Sequence, residues 1–201
     1  MGLLVHRRPA AGRAPCRGPT YALACLLLIG QAAGWPAAAA EQGATGADVK
    51  AAFLLNFVKF VEWPAAPSGE FVIGVLGDDA VADALRDLAK GKAVGGRPLV
   101  ARRVLLKDHL AGLQVLFIGA SESARLGDVL QRTSGGHVLT VSDLDRFSLQ
   151  GGVIEFRSER DRVRFDIALG QAERSGLIIN SKLLALAKTV HHATKSPGAS
   201  R

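Results

Sequence analysis

Three polar pairs stand where apolar segments of the sequence end, and their side chains could either bind a ligand or cap helices. The pairs are Asp78-Asp79, Ser121-Glu122 and Ser142-Asp143. Each pair follows a segment with the pattern of a parallel strand. The carboxyl ends of parallel strands meet at one edge of a sheet, which is where ligands bind in open α/β folds. Carboxylates and hydroxyls gathered there would line a polar cleft. The same residue types are also the usual N-caps of the helices that follow such strands, so both interpretations stay open.

Residues for catalysis or metal binding are scarce in this sequence. None of the predicted strands is followed by a nucleophile elbow, a phosphate-binding loop or a dinucleotide-binding glycine motif. His109, His137 and the pair His191-His192 lack the spacing of metal ligands. A hydrolase would need a general base and a group to orient it, and the sequence nominates neither. We therefore predict a protein that is not an enzyme and that uses no cofactor or metal.

The segment from residue 155 to residue 166 alternates basic and acidic residues. Its arginines are Arg157, Arg160, Arg162 and Arg164, and its acidic residues are Glu155, Glu159, Asp161 and Asp166. Cross-strand ion pairs on the solvated face of a β-hairpin explain this alternation. A docking face for an acidic partner is the alternative.

Residues 1–40 have the pattern of a secretory signal peptide. Four arginines precede an apolar run at residues 21–29, and a small-residue segment then ends at Ala40. The apolar run is well below the roughly 20 residues that a membrane-spanning helix needs. We predict cleavage after Ala40 and a periplasmic mature chain that does not insert into the membrane.

Cleavage would change the composition of the chain. Cys16 and Cys25 both lie in the predicted signal peptide, so the mature chain would have no disulfide. The whole chain has 25 Lys+Arg and 18 Asp+Glu, a net charge of +7, and loss of the four signal arginines leaves 21 against 18. The remaining net charge of about +3 does not indicate a nucleic-acid-binding protein. Roughly 160 residues can bury the core of one domain without cross-links.

The periodicity of the mature chain predicts a single α/β domain at residues 49–190. A flexible leader at residues 41–48 precedes it, and a disordered tail at residues 191–201 follows it. Apolar runs with strand character stand at residues 71–76, 98–104, 114–118 and 137–141. Helical segments separate these runs, which predicts a mostly parallel sheet flanked by helices.

The predicted elements at the end of the domain differ from this alternation. Residues 152–157 and 163–167 flank a charged turn, which predicts an antiparallel hairpin at one edge of the sheet. Asn180-Ser181 then precede an amphipathic segment, which predicts a capped helix that continues to Val190. Ser121 is placed to cap another helix, at residues 122–131.

The first predicted helix, residues 49–63, is apolar over most of its surface. Asn56, Lys59 and Glu62 form one narrow polar stripe, and most of the remaining residues are apolar, so the helix is either deeply buried or covered by a partner chain. We take Phe57, Lys59, Phe60 and Trp63 as candidate partner-binding residues. The partner would be a receptor or a second copy of the chain.

Several blocks of the sequence resemble the YfiR family. They are residues 50–64, 73–79, 115–118 with 121–122, 138–143, 151–156 and 179–187. The blocks occur in the family's order and cover nearly all of residues 49–190. The resemblance implies a non-enzymatic periplasmic repressor. Such a protein binds the periplasmic sensor part of an inner-membrane diguanylate cyclase and keeps cyclic-di-GMP synthesis low.

The sequence departs from the better-known family members in its cysteines. The resemblance implies cysteines near Leu113 or Gln114 and near Ser148, and none stands there. Redox-gated regulation is therefore not expected of this chain. Fold similarity alone does not fix the partner, which could be another receptor. The alternative function is a periplasmic small-molecule binding protein that uses the cleft at the strand ends.

Overall fold

A computed structural model describes residues 45–64, 69–110, 112–160 and 162–192. The predicted signal peptide, residues 41–44 of the predicted leader and residues 193–201 of the predicted tail lie outside these ranges. The α-helices are α1 (Gly46–Phe57), α2 (Asp79–Ala89), α3 (Leu126–Thr133), α4 (Leu169–Arg174) and α5 (Ser181–Leu186), with 3₁₀ helices at Ala120–Arg125 and Phe147–Gln150. The strands are β1 (Val61–Glu62), β2 (Phe71–Leu76), β3 (Ala93–Val94), β4 (Arg97–Arg103), β5 (Val115–Ile118), β6 (Leu139–Ser142), β7 (Ile154–Glu159), β8 (Arg162–Ala168), β9 (Ile178–Ile179) and β10 (Thr189–His191).

The main sheet has the strand order β10-β8-β7-β6-β5-β2-β4-β3. Strands β4, β2, β5, β6 and β7 run parallel, and β7 and β8 form an antiparallel hairpin. The predicted fold class is confirmed. The short strand β10 extends the sheet one position beyond the hairpin by pairing in parallel with β8. Strands β1 and β9 form a separate two-stranded antiparallel sheet.

Both faces of the main sheet are buried, as expected for parallel strands covered by helices. Along β2, Ile73 and Val75 belong to one apolar cluster, and Val72 and Leu76 belong to a second on the opposite face. The first cluster includes residues of α1 and α2, and the second includes residues of α3 and the 3₁₀ helix Phe147–Gln150. Each helix in the described ranges is too short or too polar to cross a lipid bilayer.

An aromatic cluster joins α1 to the β7–β8 hairpin. The ring of Phe57 stacks on Phe156, with 5.8 Å between the ring centroids, and meets Phe165 edge-on at 5.1 Å. Phe53 lies within 5.9 Å of the same two rings. The rings at the end of α1 therefore form part of the core that holds the helix on the sheet.

The first helix begins earlier and ends earlier than the sequence predicts. The Thr45 hydroxyl accepts a hydrogen bond from the Asp48 N–H at 3.2 Å, and the Asp48 carboxylate accepts one from the Thr45 N–H at 2.8 Å. This reciprocal cap starts the helix at Gly46, inside the predicted leader. The helix ends at Phe57 rather than Trp63 because the backbone beyond it pairs with distant residues. The Asn180 N–H donates to the Phe60 carbonyl at 2.8 Å, next to the β1–β9 pair.

The predicted C-terminal helix is also shorter, for the same kind of reason. Asn180 caps α5 as predicted, and its side chain accepts from the Lys182 N–H at 2.9 Å. The helix ends at Leu186 instead of Val190, since the Lys188 N–H donates to the Phe165 carbonyl at 2.8 Å and starts the pairing of β10 with β8. His191, the first residue of the predicted tail, is the last residue of β10.

Candidate functional site

The predicted polar cleft falls at the point where the order of the strands reverses. From β2 the chain moves to β4 on one side and then to β5 on the other, so the carboxyl ends of β2 and β5 form the topological switch point. Asp78 follows β2, Ser121 follows β5, and Asp143 follows β6. The structure therefore brings the three pairs to one edge of the sheet, as the sequence predicts.

The turns that follow β2 and β5 are in direct contact. A Cβ atom on Gly119 would lie 2.5 Å from the carbonyl oxygen of Gly77, a separation that real Cβ atoms essentially never show. Gly77 has φ +76°, and a Cβ there would lie 2.4 Å from Oγ of Ser121. The Ser121 hydroxyl donates to the Gly77 carbonyl at 2.9 Å. Protein atoms thus fill the space between the first two strand ends.

The residues of the polar pairs form a helix cap, links between strand ends, and ion pairs. Asp78 caps α2 by accepting from the Val81 N–H at 3.0 Å. Asp79 is exposed and pairs with Nε of Arg103 at 3.1 Å. The buried Ser142 hydroxyl donates to the Ile118 carbonyl of the neighbouring strand at 2.6 Å. Helix capping is confirmed for Asp78, whereas the hydroxyls of Ser121 and Ser142 link adjacent strand ends. Ser121 lies inside the 3₁₀ helix and caps no helix, and α3 starts only at Leu126.

The remaining two acidic residues of the cleft take part in ion pairs. Glu122 is buried, and its Oε2 lies 2.9 Å from Nη2 of Arg125. Asp143 pairs with Lys50 of α1, and both side chains are about four-fifths buried. The second pair holds α1 against the carboxyl edge of the sheet. Within the described ranges, no group of three His, Asp or Glu side chains is placed to hold a metal ion.

The four candidate partner-binding residues differ in their exposure. Phe57 is 1% exposed and lies in the core, so its side chain is not part of the surface. Phe60 and Trp63 are half-buried. The Trp63 indole N–H donates to the Gln114 carbonyl at 3.2 Å, and the ring meets Phe71 edge-on at 5.1 Å. Of the four, only Lys59 is exposed.

Lys59 lies on a groove of about 540 Å³ between α1, α2 and the β3 turn, here named the α1–α2 groove. Its lining consists of Ala52, Leu55, Asn56, Val58, Lys59, Leu88, Lys92, Ala93, Val94, Gly95 and Leu99. Buried Val58 and Leu99 contribute apolar surface, and the exposed Lys59 and Lys92 contribute positive charge. Among the residues that the structure describes, the lining includes no acidic one. The helical pattern of the sequence identifies Lys59 as a candidate binding residue. It does not identify Lys92, because the neighbouring strand β3 has only two residues and shows no periodicity in the sequence.

A second polar cluster lies on the β7–β8 hairpin, where the sequence predicts a solvated face. Arg162 and Arg164 are exposed as predicted, but the prediction is wrong for Glu155 and Asp166, which are 1% and 3% exposed. These two carboxylates lie directly opposite each other in the register of the strands. Nη1 of Arg157 lies 2.9 Å from Oε1 of Glu155 and 3.3 Å from Oδ2 of Asp166. One guanidinium thus bridges two like charges that would otherwise destabilise the pair.

Glu155 is well supplied with hydrogen-bond donors. Its carboxylate accepts from the Arg146 N–H, the Ser148 N–H and the Ser148 hydroxyl at 3.0, 3.0 and 2.7 Å. Burial acts to raise the pKa of Glu155, but the bonds from Ser148 and Arg146 and the charge of Arg157 outweigh it and hold the pKa below its usual value. The sequence contains one feature that could have predicted this burial: Glu155 stands inside the apolar run of residues 152–156.

Comparison with known protein families matches residues 47–188 to the family described as YfiR/HmsC-like. The match runs from the first turn of α1 to the residue before β10 and so includes both apolar clusters of the core. A comparison with curated proteins finds no match. The family in general consists of regulatory, non-enzymatic proteins of the periplasm. Because the match extends over well over half of the sequence and over all the parallel strands of the main sheet except β10, the chain belongs to the YfiR/HmsC-like family.

Proposed function

We propose that this protein is an exported, non-enzymatic regulator that binds the periplasmic sensor domain of an inner-membrane diguanylate cyclase. In the bound state it represses cyclic-di-GMP synthesis on the other side of the membrane. The observation that carries the proposal is the family match over residues 47–188. The signal-peptide pattern of residues 1–40, which lie outside the described ranges, supports the periplasmic location.

Repression by such a protein needs two states of the cyclase with different affinities for it. A ligand shifts an equilibrium only as far as it binds one state better than the other. In our proposal the regulator binds the inactive state of the sensor domain more tightly, so docking alone lowers the output. This mechanism requires a docking surface on the regulator and no catalytic group.

We place the docking surface at the α1–α2 groove. Its apolar lining suits the apolar side chains of a partner segment, and Lys59 and Lys92 suit carboxylates on the same segment. The occupant in this proposal is therefore a segment of the receptor with both apolar and acidic side chains. We place Phe60 and Trp63, which follow the carboxyl end of α1, at the border of the contact. A second copy of this chain is the competing occupant.

A charge reversal in the groove tests this function. We expect Lys59→Glu with Lys92→Glu to weaken capture of the membrane diguanylate cyclase by at least about tenfold, equivalent to about 1.4 kcal/mol. The measurement is quantitative pull-down from solubilised membranes of the same organism, with the cyclase identified by mass spectrometry.

Arg102→Glu with Lys107→Glu provides a matched control with the same change in charge. Arg102 alternates with Ala101 along β4 and so faces away from the groove side, and Lys107 is exposed next to Leu106, which packs on the second apolar cluster. The control variant should capture the cyclase as the wild type does. Equal capture by the two double variants would contradict the docking surface, and concentration-dependent self-association lost only in the groove variant would favour a second copy as the occupant.

A further inference from the structure

The end of the β7–β8 hairpin carries three exposed arginines, Arg160, Arg162 and Arg164, here named the hairpin-end arginines. Together with Glu159 they surround an open concavity of about 760 Å³. Arg162 and Arg164 alternate along β8 with Phe165, which packs on α1, so the two arginines lie on the opposite face of the sheet. This surface is therefore separate from the α1–α2 groove.

Two features of this surface disfavour the fold. Arg164 lies directly opposite Arg157 in the register of the strands, and like charges placed in this way destabilise a strand pair. Arg160 has φ +44° in the two-residue loop that joins β7 to β8. That backbone conformation favours glycine or asparagine over arginine. Local rules broken without a gain in stability point to a functional role for the side chains.

The hairpin-end arginines are not neutralised within the described part of the chain. They make no ion pair or side-chain hydrogen bond there, whereas Arg157 bridges two buried carboxylates and Glu159 pairs with Lys188. Residues 157–164 contain four arginines and two acidic residues, a net charge of +2, which Lys188 raises to +3. The accessible surface at this end of the hairpin therefore attracts anions.

The lining of the concavity indicates which kind of anion fits. Protein interfaces contain an apolar or aromatic core, and the described residues of this lining are all charged. Guanidinium groups bind phosphate oxygens in a two-pronged geometry, and a surface with many phosphates can engage several arginines at once. We propose that the hairpin-end arginines bind the phosphate groups of anionic lipids at a membrane surface. The contact is peripheral and inserts no part of the chain.

This inference rests on the exported location that the proposed function assumes. Contact with lipid would hold the protein close to the membrane that contains its receptor and so raise its effective concentration there. Because Arg162 and Arg164 lie on the sheet face opposite α1, the α1–α2 groove would stay accessible to the receptor.

Sedimentation of the exported protein with lipid vesicles tests the contact in the absence of any cyclase, so its outcome is independent of the proposed function. Vesicles of phosphatidylglycerol and phosphatidylcholine in equal amounts should bind at least about tenfold more tightly than phosphatidylcholine alone. Added sodium chloride should weaken this binding, since the charges are exposed. Equal binding to the two kinds of vesicle would overturn the proposal.

Two competitors distinguish lipid from other anions. Inorganic phosphate, compared with sodium chloride at the same ionic strength, should not displace the protein from the vesicles, because a single ion cannot engage all three arginines. Poly-glutamate should bind more weakly than the anionic vesicles. Specific displacement by phosphate would assign the arginines to a free ion, and tighter binding of poly-glutamate would assign them to an acidic protein. Either result would overturn the lipid assignment.

A double variant and its control locate the contact. Arg162→Gln with Arg164→Gln should weaken binding to the anionic vesicles by about tenfold or more, since each basic side chain near such a surface contributes about fivefold. Arg102→Gln with Lys107→Gln makes the same change in charge, and Arg102 lies on β4, five strand positions from β8. This control should bind as the wild type does. Equal binding by the two double variants would overturn the proposal.

The melting temperature separates a binding role of Arg164 from a structural one. Arg164→Gln removes the like charge opposite Arg157, so its melting temperature should equal or exceed that of the wild type. A lower melting temperature would show that Arg164 stabilises the hairpin, which would contradict the free charge on which the lipid contact depends.

Discussion

Deletion of the gene for this protein should raise cellular cyclic-di-GMP severalfold and increase biofilm formation. The reason is that the cyclase would lose the partner that holds its sensor domain in the inactive state. Cyclic-di-GMP measured by mass spectrometry of cell extracts checks the first effect, and biofilm staining checks the second. Re-expression of the full chain should restore both to the level of the parent strain.

The location of the protein supplies the control for this experiment. The same chain without residues 1–40 should not complement the deletion, since it would stay on the wrong side of the membrane from its partner. The mature N-terminus in the periplasmic fraction should be Glu41 or a residue close to it. Repression should also be insensitive to thiol reductants, because no cysteine follows Cys25. Unchanged cyclic-di-GMP in the deletion strain would contradict the proposed function and favour the small-molecule binding alternative.

Phe57→Glu should abolish folding of the domain. The side chain is 1% exposed and packs against Phe156 and Phe165. Truncation of such a phenylalanine alone costs about 3–5 kcal/mol. An unpaired carboxylate at the same place adds a large desolvation cost, whereas a domain of this kind has a total stability of about 5–15 kcal/mol. Circular dichroism and a thermal melt should show loss of the cooperative transition.

Phe60→Glu is the matched variant at a half-buried position three residues further along the chain. We expect it to keep the folded far-ultraviolet spectrum and to weaken capture of the receptor, since our proposal places Phe60 at the border of the contact. Phe57→Leu, which keeps an apolar side chain in the core, should fold with a lowered melting temperature. A folded Phe57→Glu variant with wild-type stability would show that Phe57 is not a core residue.

The sequence predicts the central parallel strands well because their signal is local. The run at residues 71–76 is apolar throughout and is bounded by Gly77 and Asp78, and β2 occupies those same residues. The positions of the polar pairs at one edge follow from this topology, and so does the cap at Asp78. Whether two strand ends leave an open cleft depends on contacts such as that of Gly119 with the Gly77 carbonyl, which no local pattern encodes.

The errors in the predicted helices share one physical cause. At both ends of the domain the sequence keeps a helical pattern, but the backbone leaves the helix to pair with distant residues. The pairs are Phe60 with Asn180 and Lys188 with Phe165. Tertiary pairing of this kind overrides local propensity. The sequence also fails to predict the burial of Glu155 and Asp166, for a related reason. The residues that surround these two side chains, Ser148 and those of β10, come from other parts of the chain.

Site-specific photo-crosslinking in living cells tests the docking account most directly. A benzophenone-bearing phenylalanine replaces Lys59 in the α1–α2 groove, or Lys107 on the opposite side as the control. After irradiation, the exported protein with the probe at position 59 should form a covalent adduct with the membrane diguanylate cyclase, and the protein with the probe at position 107 should not. Absence of this adduct from an exported and folded position-59 variant, or equal adducts from both positions, would contradict the account.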